Sequence, residues 1–221
     1  MGHLILALFG QFNLYLCIII AYLLGSIPTS YLIGRIFFGQ DIRQSGSGNT
    51  GATNALRTFG TKVGVFVLLI DMLKGIAAIL IAGFIMKFTF SGEEINFVVS
   101  LSGLFVILGH VFSIFLKFKG GKGVATAAGV FLALSPISFL FCLVLFAFIV
   151  YSTKFVSLGS ILSAGAFLLI EVVSQSIMRF PNLPRLILVV IVLIMIIIRH
   201  KSNIKRLVNG VENRINFKKE E

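Results

Sequence analysis

The sequence predicts an all-α, polytopic integral membrane protein of about seven transmembrane helices, with the N-terminus outside and the C-terminus in the cytoplasm. Of its 221 residues, 57% are hydrophobic and 12% charged, against roughly 45–50% and about 25% in soluble domains. The 19 basic and 8 acidic residues supply too little polar surface for a water-soluble enzyme of this size. Several apolar runs approach the roughly 20 residues with which a helix crosses a bilayer. We interpret residues 1–221 as a single membrane domain.

The first three spans are predicted at about residues 14–36, 63–86 and 97–118. Pro28 is expected to kink the first of them. That segment lacks the basic start and the small-residue cleavage site of a signal peptide, so we expect it to remain as a span. Between the first two spans, residues 39–60 are rich in Gly, Ser, Thr and Asn and are too polar to face lipid.

The second half of the chain contains apolar runs at residues 124–150, 158–173 and 186–198. The first of these runs is longer than one ordinary span, and Ser135-Pro136 divides it near its middle. Six spans result if residues 124–150 form one kinked helix, and seven result if Pro136 separates two short helices.

The placement of basic residues favours seven spans, because cytoplasmic flanks collect Lys and Arg. The second loop, with Lys87 against Glu93 and Glu94, fits the outside. Only a split at Pro136 then brings Lys154 and the basic tail to the cytoplasmic side together with the first and third loops. The basic residues of these loops and of the tail are Arg43, Arg57, Lys62, Lys117, Lys119, Lys122, Arg199, Lys201, Lys205, Arg206, Arg214, Lys218 and Lys219.

Other uses of the charge and of the cysteines are disfavoured. The formal charge of +11 is spread between apolar runs and forms no continuous stripe for nucleic acid. Cys17 and Cys142 each lie within an apolar run, which argues against a disulfide framework or a cysteine metal site.

A polar motif in the first loop, Gly46-Ser47-Gly48-Asn49-Thr50-Gly51, matches G-x-G-x-x-G. No strand precedes it, so a dinucleotide-binding fold is excluded. Its glycines still permit backbone N–H groups to converge on an anion, with donors from Ser47, Asn49, Thr53 and Asn54 and a bidentate partner in Arg57. The motif therefore predicts a phosphate site, with an ordinary connecting loop as the alternative.

A second motif, Gly120-Gly121-Lys122-Gly123, is flanked by Lys117 and Lys119. It is not a Walker A loop, because Gly123 stands where Ser or Thr is required. The cationic turn is suited to a phosphorylated substrate or an anionic lipid, and a positive-inside anchor is the alternative.

Ionisable residues also occur at the end of the last span and inside the second. His200 and Asn203 are three residues apart, so on a helix they reach one ligand, unless His200 is an interfacial anchor. Asp71 and Lys74 are one turn apart within the second span. We expect them to neutralise one another, either as a structural pair or as part of a transport route.

Together these motifs resemble the bacterial acyl-phosphate-dependent glycerol-3-phosphate acyltransferase family. The resemblance covers nearly the whole chain. It rests on Gly25-Ser26-Ile27-Pro28, on Asp41-Ile42-Arg43 with the stretch from Gly46 to Asn54 and Arg57, on the stretch from Gly109-His110 to Thr126, and on Arg199-His200 with Asn203-Ile204 and Arg206-Leu207.

The resemblance implies transfer of an acyl group from acyl phosphate to the C1 hydroxyl of sn-glycerol 3-phosphate, without a cofactor or metal. It implies a multi-pass protein of the bacterial inner membrane whose site faces the cytoplasm. The implied partners are membrane lipid and a soluble enzyme that supplies acyl phosphate, and no nucleic acid is expected. The implied catalytic residues are Ser47, Arg57, Lys122 and His200. The implied substrate-binding residues are Gly46, Gly48, Asn49, Gly51, Ala52, Thr53, Asn54, Gly121, Gly123, Ser157 and Asn203.

The sequence departs from the family in having Ser113 where proline is usual, and in longer termini. For this family, the substrate's own phosphate is proposed as the general base that accepts the hydroxyl proton, and His200 is the alternative. A small secondary transporter of an organic anion or phosphate ester remains the competing function, with Asp71 and Lys74 along its route.

Overall fold

The computed structural model of the chain describes residues 2–90, 92–177 and 181–215, which fold into ten α-helices and no β-strand. Lys218 and Lys219 of the predicted basic tail lie outside these ranges. The helices are α1 (Gly2–Ser26), α2 (Thr29–Phe38), α3 (Ala52–Phe59), α4 (Thr61–Met86), α5 (Glu93–Val111), α6 (Val124–Leu134), α7 (Pro136–Thr153), α8 (Val156–Ile177), α9 (Leu183–Arg199) and α10 (Lys201–Val208).

The predicted kink at Pro28 is confirmed. Helix α1 ends at Ser26 and α2 begins at Thr29, with a bend of 40° between them. Proline has no N–H and its ring clashes with the preceding turn, so the helix cannot continue through it unbroken. The break leaves main-chain carbonyls of the last turn of α1 in need of other donors.

The run at residues 124–150 is two helices, as the split at Pro136 predicted. Helix α6 ends at Leu134, and Pro136 is the first residue of α7, where a missing N–H costs nothing. At 11 residues, α6 is about 16 Å long and is too short to cross the roughly 30 Å hydrocarbon core alone.

Within the described ranges, four helices are long and apolar enough to cross a membrane individually: α4, α5 with the short turn that follows it, α7 and α8. Six result if each bent pair, α1 with α2 and α9 with α10, counts as one span. The short helix α6 would be the seventh, so the count of seven and the orientation of the termini stay predictions.

Small residues allow the helices to pack closely. A methyl group on Gly75 of α4 would press on the main chain of α6 at Thr126, and one on Gly129 of α6 would press on α4 at Met72. Close backbone approach through small residues is how membrane helices gain van der Waals contact without hydrophobic driving force from lipid.

Apolar side chains cover the outside of the bundle. Leu80 on α4, Phe141 and Phe148 on α7 and Leu169 on α8 are each more than half exposed. A soluble protein rarely presents so much contiguous apolar surface. The arrangement is that of an integral membrane protein with lipid around it.

Candidate active site

A cavity of about 570 Å³ lies at the end of the bundle where α3, α6 and α8 begin. Its walls also include α4, α7, the junction of α9 with α10, and the extended C-terminal segment, residues 209–215. These elements are distant in sequence, and the fold brings their polar residues to one place.

The three predicted motifs converge on this cavity. Glycines 46, 48 and 121 do not line it, and their predicted part in substrate binding is untested by the geometry. The predicted residues that do line it are Ser47, Asn49, Gly51, Ala52, Thr53, Asn54, Arg57, Lys122, Gly123, Ser157, His200 and Asn203.

Asn54 organises the first motif from within. Its side-chain Nδ2 donates to the carbonyls of Ile42, at 3.2 Å, and Ser45, at 3.0 Å, while its Oδ1 accepts the N–H of Ser47 at 2.8 Å. Asn54 is 1% exposed. Although its carboxamide touches the cavity, these three bonds hold the loop in shape, which the sequence analysis did not foresee.

Two backbone N–H groups of the first motif, those of Ser47 and Gly48, are already used within the loop. The Ser47 amide is taken by Asn54, and the Gly48 amide donates to the Ser45 carbonyl at 3.0 Å. Helix α3 begins at Ala52, and the first N–H groups of a helix have no partner within it. Ala52 and Thr53 line the cavity, so the start of α3 presents the positive end of its dipole there.

The guanidinium group of Arg57, on α3, uses only some of its nitrogens in hydrogen bonds. One guanidinium nitrogen, Nη2, donates to the main-chain carbonyl of Asn213 at 3.0 Å, which ties α3 to the C-terminal segment. The Nε of Arg57 is buried and has no hydrogen-bond partner in the described part of the chain. An unpaired buried donor is costly, so Nε is poised for an acceptor.

The loop that carries Lys122 is fixed from both sides. Gly120 donates to the Val111 carbonyl at 3.0 Å and Gly121 to the His110 carbonyl at 3.1 Å. Arg199, from the end of α9, donates to the carbonyls of both glycines. Gly121 therefore packs behind the site while Lys122 faces into it.

Lys122 extends into the cavity and donates to Oδ1 of Asn203. Burial, and the neighbouring guanidinium groups of Arg206, Arg57 and Arg199, lower the pKa of Lys122 to about 8, although Glu212 acts in the opposite direction. The ammonium is thus still mostly protonated at pH 7, but it loses its proton at a lower pH than an exposed lysine does.

His200 caps α9 and is 3% exposed. Its Nδ1 lies 2.8 Å from the carbonyl oxygen of Ile196. Because a carbonyl only accepts, Nδ1 carries the proton in the neutral ring and Nε2 is the acceptor. His200 is therefore in the tautomer that a base acting through Nε2 requires.

Glu212 is a site residue that the sequence analysis missed. It accepts from Ser157 Oγ at 2.9 Å, from Asn203 Nδ2 at 2.7 Å and from Arg206 Nε at 2.8 Å. Burial raises the pKa of Glu212, but these hydrogen bonds outweigh burial and set it below its ordinary value. The available signal was an acidic residue surrounded by the basic residues Arg206 and Arg214. Ser157, for which the default role at a helix start is capping, instead holds this carboxylate.

Three further groups of residues complete the walls. Asp71 and His110 reach the cavity from the membrane interior, and Ile215 lines it from the C-terminal segment. The apolar wall comes from two helices, α4 and α7, through Val65, Leu68, Leu143, Phe146, Ala147, Val150 and Tyr151.

Within the described ranges, no three His, Cys, Asp or Glu side chains come together as a set that could hold a metal ion.

Comparison with known proteins places this geometry in a family. The family model described as glycerol-3-phosphate acyltransferase matches residues 15–210. The chain belongs to the glycerol-3-phosphate acyltransferase family. Among curated family members, it is 48% identical to the glycerol-3-phosphate acyltransferase of Geobacter sulfurreducens, over 88% of this chain and 94% of that one. It is 44% identical to that of Macrococcus caseolyticus, over 92% and 98%.

A solved acyltransferase structure shares the fold as well as the sequence. The crystal structure of PlsY (YgiH), an integral membrane glycerol 3-phosphate acyltransferase in its glycerol 3-phosphate form, superposes with a TM-score of 0.82 and 38% identity, over 92% of this chain and 96% of that one. The lysophosphatidic acid form gives 0.78 and 37%. The predicted family is confirmed, and family membership favours an acyltransferase over the transporter alternative.

Proposed function

We propose that the protein transfers a fatty acyl group from acyl phosphate to the C1 hydroxyl of sn-glycerol 3-phosphate, giving 1-acyl-glycerol 3-phosphate (lysophosphatidate) and inorganic phosphate. One observation carries the proposal: a single cavity has a cationic, donor-rich end and an apolar wall. A donor with a phosphate head and a fatty tail, together with a small anionic acceptor, requires both.

The cationic end suits glycerol 3-phosphate. Arg57 Nε is a buried donor without a partner among the described residues, and Lys122, His200 and Asn203 face the same space. Charge-assisted hydrogen bonds from such groups are about twice as strong as neutral ones. The PlsY structure in its glycerol 3-phosphate form supports assigning this acceptor to the equivalent cavity.

The start of α3 suits the phosphate of the donor. The free N–H groups of Ala52 and Thr53, with the side chains of Ser47 and Asn49, form an anion site at a helix N-terminus. Gly46 and Gly48 act there by shaping the loop, with φ angles of 58° and 70° that favour glycine. Gly51, Gly121 and Gly123 likewise let the backbone of the two loops lie close to neighbouring atoms.

The fatty tail would lie in the groove between α4 and α7. Leu68 on α4 and Leu143 on α7 line the cavity and are 39% and 45% exposed, and we infer that the groove opens between them. A groove with apolar walls that opens sideways to the surrounding lipid lets the tail remain in the membrane while the head group is held at the polar end.

The reaction needs orientation and charge stabilisation more than a covalent nucleophile, because acyl phosphate is already activated. The C1 hydroxyl oxygen attacks the acyl carbon, the bond from that carbon to the phosphate oxygen breaks, and phosphate leaves. The hydroxyl proton passes to a phosphate oxygen of the substrate or to Nε2 of His200. The donors at the start of α3, with Ser47, stabilise the charge on the departing phosphate, while Lys122 and Arg57 offset the negative charge of the acceptor beside it.

The cellular setting follows from the same assignment. Basic loops around the cavity support a site that faces the cytoplasm, and the inner membrane of a bacterium is the location we propose. The whole chain would act as one membrane domain that takes acyl phosphate made by a soluble enzyme, with membrane lipid around it.

The test uses protein purified in detergent, labelled glycerol 3-phosphate, and either palmitoyl phosphate or palmitoyl coenzyme A. Lysophosphatidate formed from palmitoyl phosphate alone is the expected result. If neither donor gives product while reconstituted vesicles accumulate labelled glycerol 3-phosphate, the transporter alternative replaces this proposal. The His200→Gln variant distinguishes His200 from the substrate phosphate as the base. If this variant keeps most of its turnover and only binds glycerol 3-phosphate more weakly, His200 is excluded as the base.

A further inference from the structure

A charged cluster lies in the membrane interior next to the cavity. The carboxylate of Asp71, on α4, accepts a hydrogen bond from Thr29 Oγ1 at 2.8 Å and lies 2.7 Å from Lys74 Nζ. Asp71 is 1% exposed and Lys74 is 6% exposed. Burying such groups is expensive unless each is paired, so the cluster has a fixed geometry.

Lys74 joins this cluster to the break at Pro28. Its Nζ donates to the carbonyl of Ile27 at 2.8 Å and reaches that of Gly25 at 3.4 Å. Both carbonyls lie at the break, where the ordinary helical hydrogen bonds are interrupted, and the Ile27 carbonyl also accepts the N–H of Thr29 at 3.1 Å. Asp71 neutralises the cation that satisfies them, and Thr29 at the start of α2 bonds to the same carboxylate.

His110 joins the cluster to the loop of Lys122. Its Nδ1 lies 3.9 Å from Asp71 Oδ1, and its main-chain carbonyl accepts the N–H of Gly121. A methyl group on Gly121 would collide with the imidazole ring, so the loop rests directly on His110. Both Asp71 and His110 also line the cavity.

A second buried cluster has the same construction without the link to the site. At the break before Pro136, Arg185 donates to the carbonyl of Leu134 at 3.0 Å and lies 3.1 Å from Glu171. Ser138 donates to the same carboxylate at 2.7 Å. Neither Glu171 nor its partners line the cavity, which makes this cluster a built-in control.

We propose that Asp71 is a positioning residue for acyl transfer: through His110 it fixes the Gly120-Gly121-Lys122 loop, while Lys74 and Thr29 hold the Pro28 break against the same carboxylate. The inference rests on the proposed function for its kinetic part. The Glu171 cluster, in contrast, contributes stability alone.

The experiment compares Asp71→Asn with Glu171→Gln, each of which removes one buried charge and keeps the side-chain shape. Hydrogen exchange followed by mass spectrometry reports on peptides that cover residues 118–124, and acyl transfer reports on kcat/KM for glycerol 3-phosphate. We expect Asp71→Asn to speed exchange of these peptides about 10-fold or more and to lower kcat/KM about 10-fold, chiefly through KM. Glu171→Gln should lower the unfolding temperature and leave both other quantities within about twofold.

Equal exchange in Asp71→Asn and the unaltered protein would overturn the inference. So would equal loosening of these peptides in both variants, since that would be a general effect of losing a buried charge. If Asp71→Asn does not fold, Thr29→Val with Ser138→Ala as its control makes the same comparison, because each removes one hydroxyl donor to a carboxylate. Absence of turnover in the unaltered protein would refute the proposed function, while the exchange measurement still decides the positioning role.

Discussion

Replacing Lys122 by methionine removes a charge from the cavity and keeps an apolar side chain of similar length. In the structure, the ammonium contacts Asn203 Oδ1 and lies among Arg57, Arg206 and Glu212, where it is partly shielded from solvent. A hydrogen bond to a charged group in such a place is worth about 1.5–3 kcal/mol. At about 1.4 kcal/mol per factor of ten, we expect kcat/KM for glycerol 3-phosphate to fall about 10- to 150-fold.

The assay titrates labelled glycerol 3-phosphate at saturating palmitoyl phosphate and measures lysophosphatidate. Lys119→Met is the matched control: it makes the same change three residues earlier, at an exposed lysine that does not line the cavity. We expect this control to stay within about twofold of the unaltered protein, since an exposed charge contributes little. Unfolding temperatures of both variants establish that the losses are not losses of folded protein.

A fall of less than about threefold in Lys122→Met, below the weakest charge-assisted bond expected, would refute the reasoning. An equal fall in Lys119→Met would also refute it, because the loss would then come from the net charge of the loop and not from the cavity. Either result would remove Lys122 from the proposed phosphate site.

Three other predictions follow from the same structure. Because the pKa of Lys122 is about 8 in the free protein, kcat/KM should fall as pH rises through about 8, and in Lys122→Arg the fall should move to higher pH; an unchanged pH profile would contradict this. Ala147→Phe should fill part of the groove and exclude about two methylenes of the acyl chain, worth about 1.6 kcal/mol or roughly 15-fold. The kcat/KM for palmitoyl phosphate should therefore fall relative to that for octanoyl phosphate. Val144→Phe, at a residue that does not line the cavity, should leave this ratio unchanged. Gly129→Ala should destabilise the fold by about 1–3 kcal/mol by forcing α6 from α4, seen as a lower unfolding temperature, while Gly165→Ala, which meets open space, should not.

The helices were predictable because lipid imposes a simple rule: each crossing needs a long apolar run. The two breaks were equally visible, since Pro28 and Pro136 interrupt such runs and proline cannot donate. Helix α3 was not predicted: it lies within residues 39–60, which the sequence analysis interpreted as a polar loop, because α3, like α10, is short and polar enough to resemble a loop in a hydropathy pattern.

The composition of the site was predictable only in part. The two glycine-rich motifs were recognisable as possible anion sites, and His200 and Asn203 as a possible ligand pair, but no spacing in the sequence predicts that they converge. Glu212 bonds to Ser157 across 55 positions, and no local pattern encodes that contact. The use of Asn54 inside its own loop was hidden for another reason: a carboxamide serves a ligand or a backbone equally well, and only geometry decides between them.

The proposed sideways opening of the groove between α4 and α7 affects how the acyltransferase must be measured. One substrate would arrive by diffusion within the plane of the bilayer and the other from water, so the two are not diluted by the same volume. Adding detergent or inert lipid at fixed total donor will slow the reaction, because the donor's mole fraction in the micelle or vesicle falls. Adding buffer will lower only the acceptor's concentration. Rate constants for the donor therefore belong in units of mole fraction, and comparisons between preparations hold only at equal lipid content.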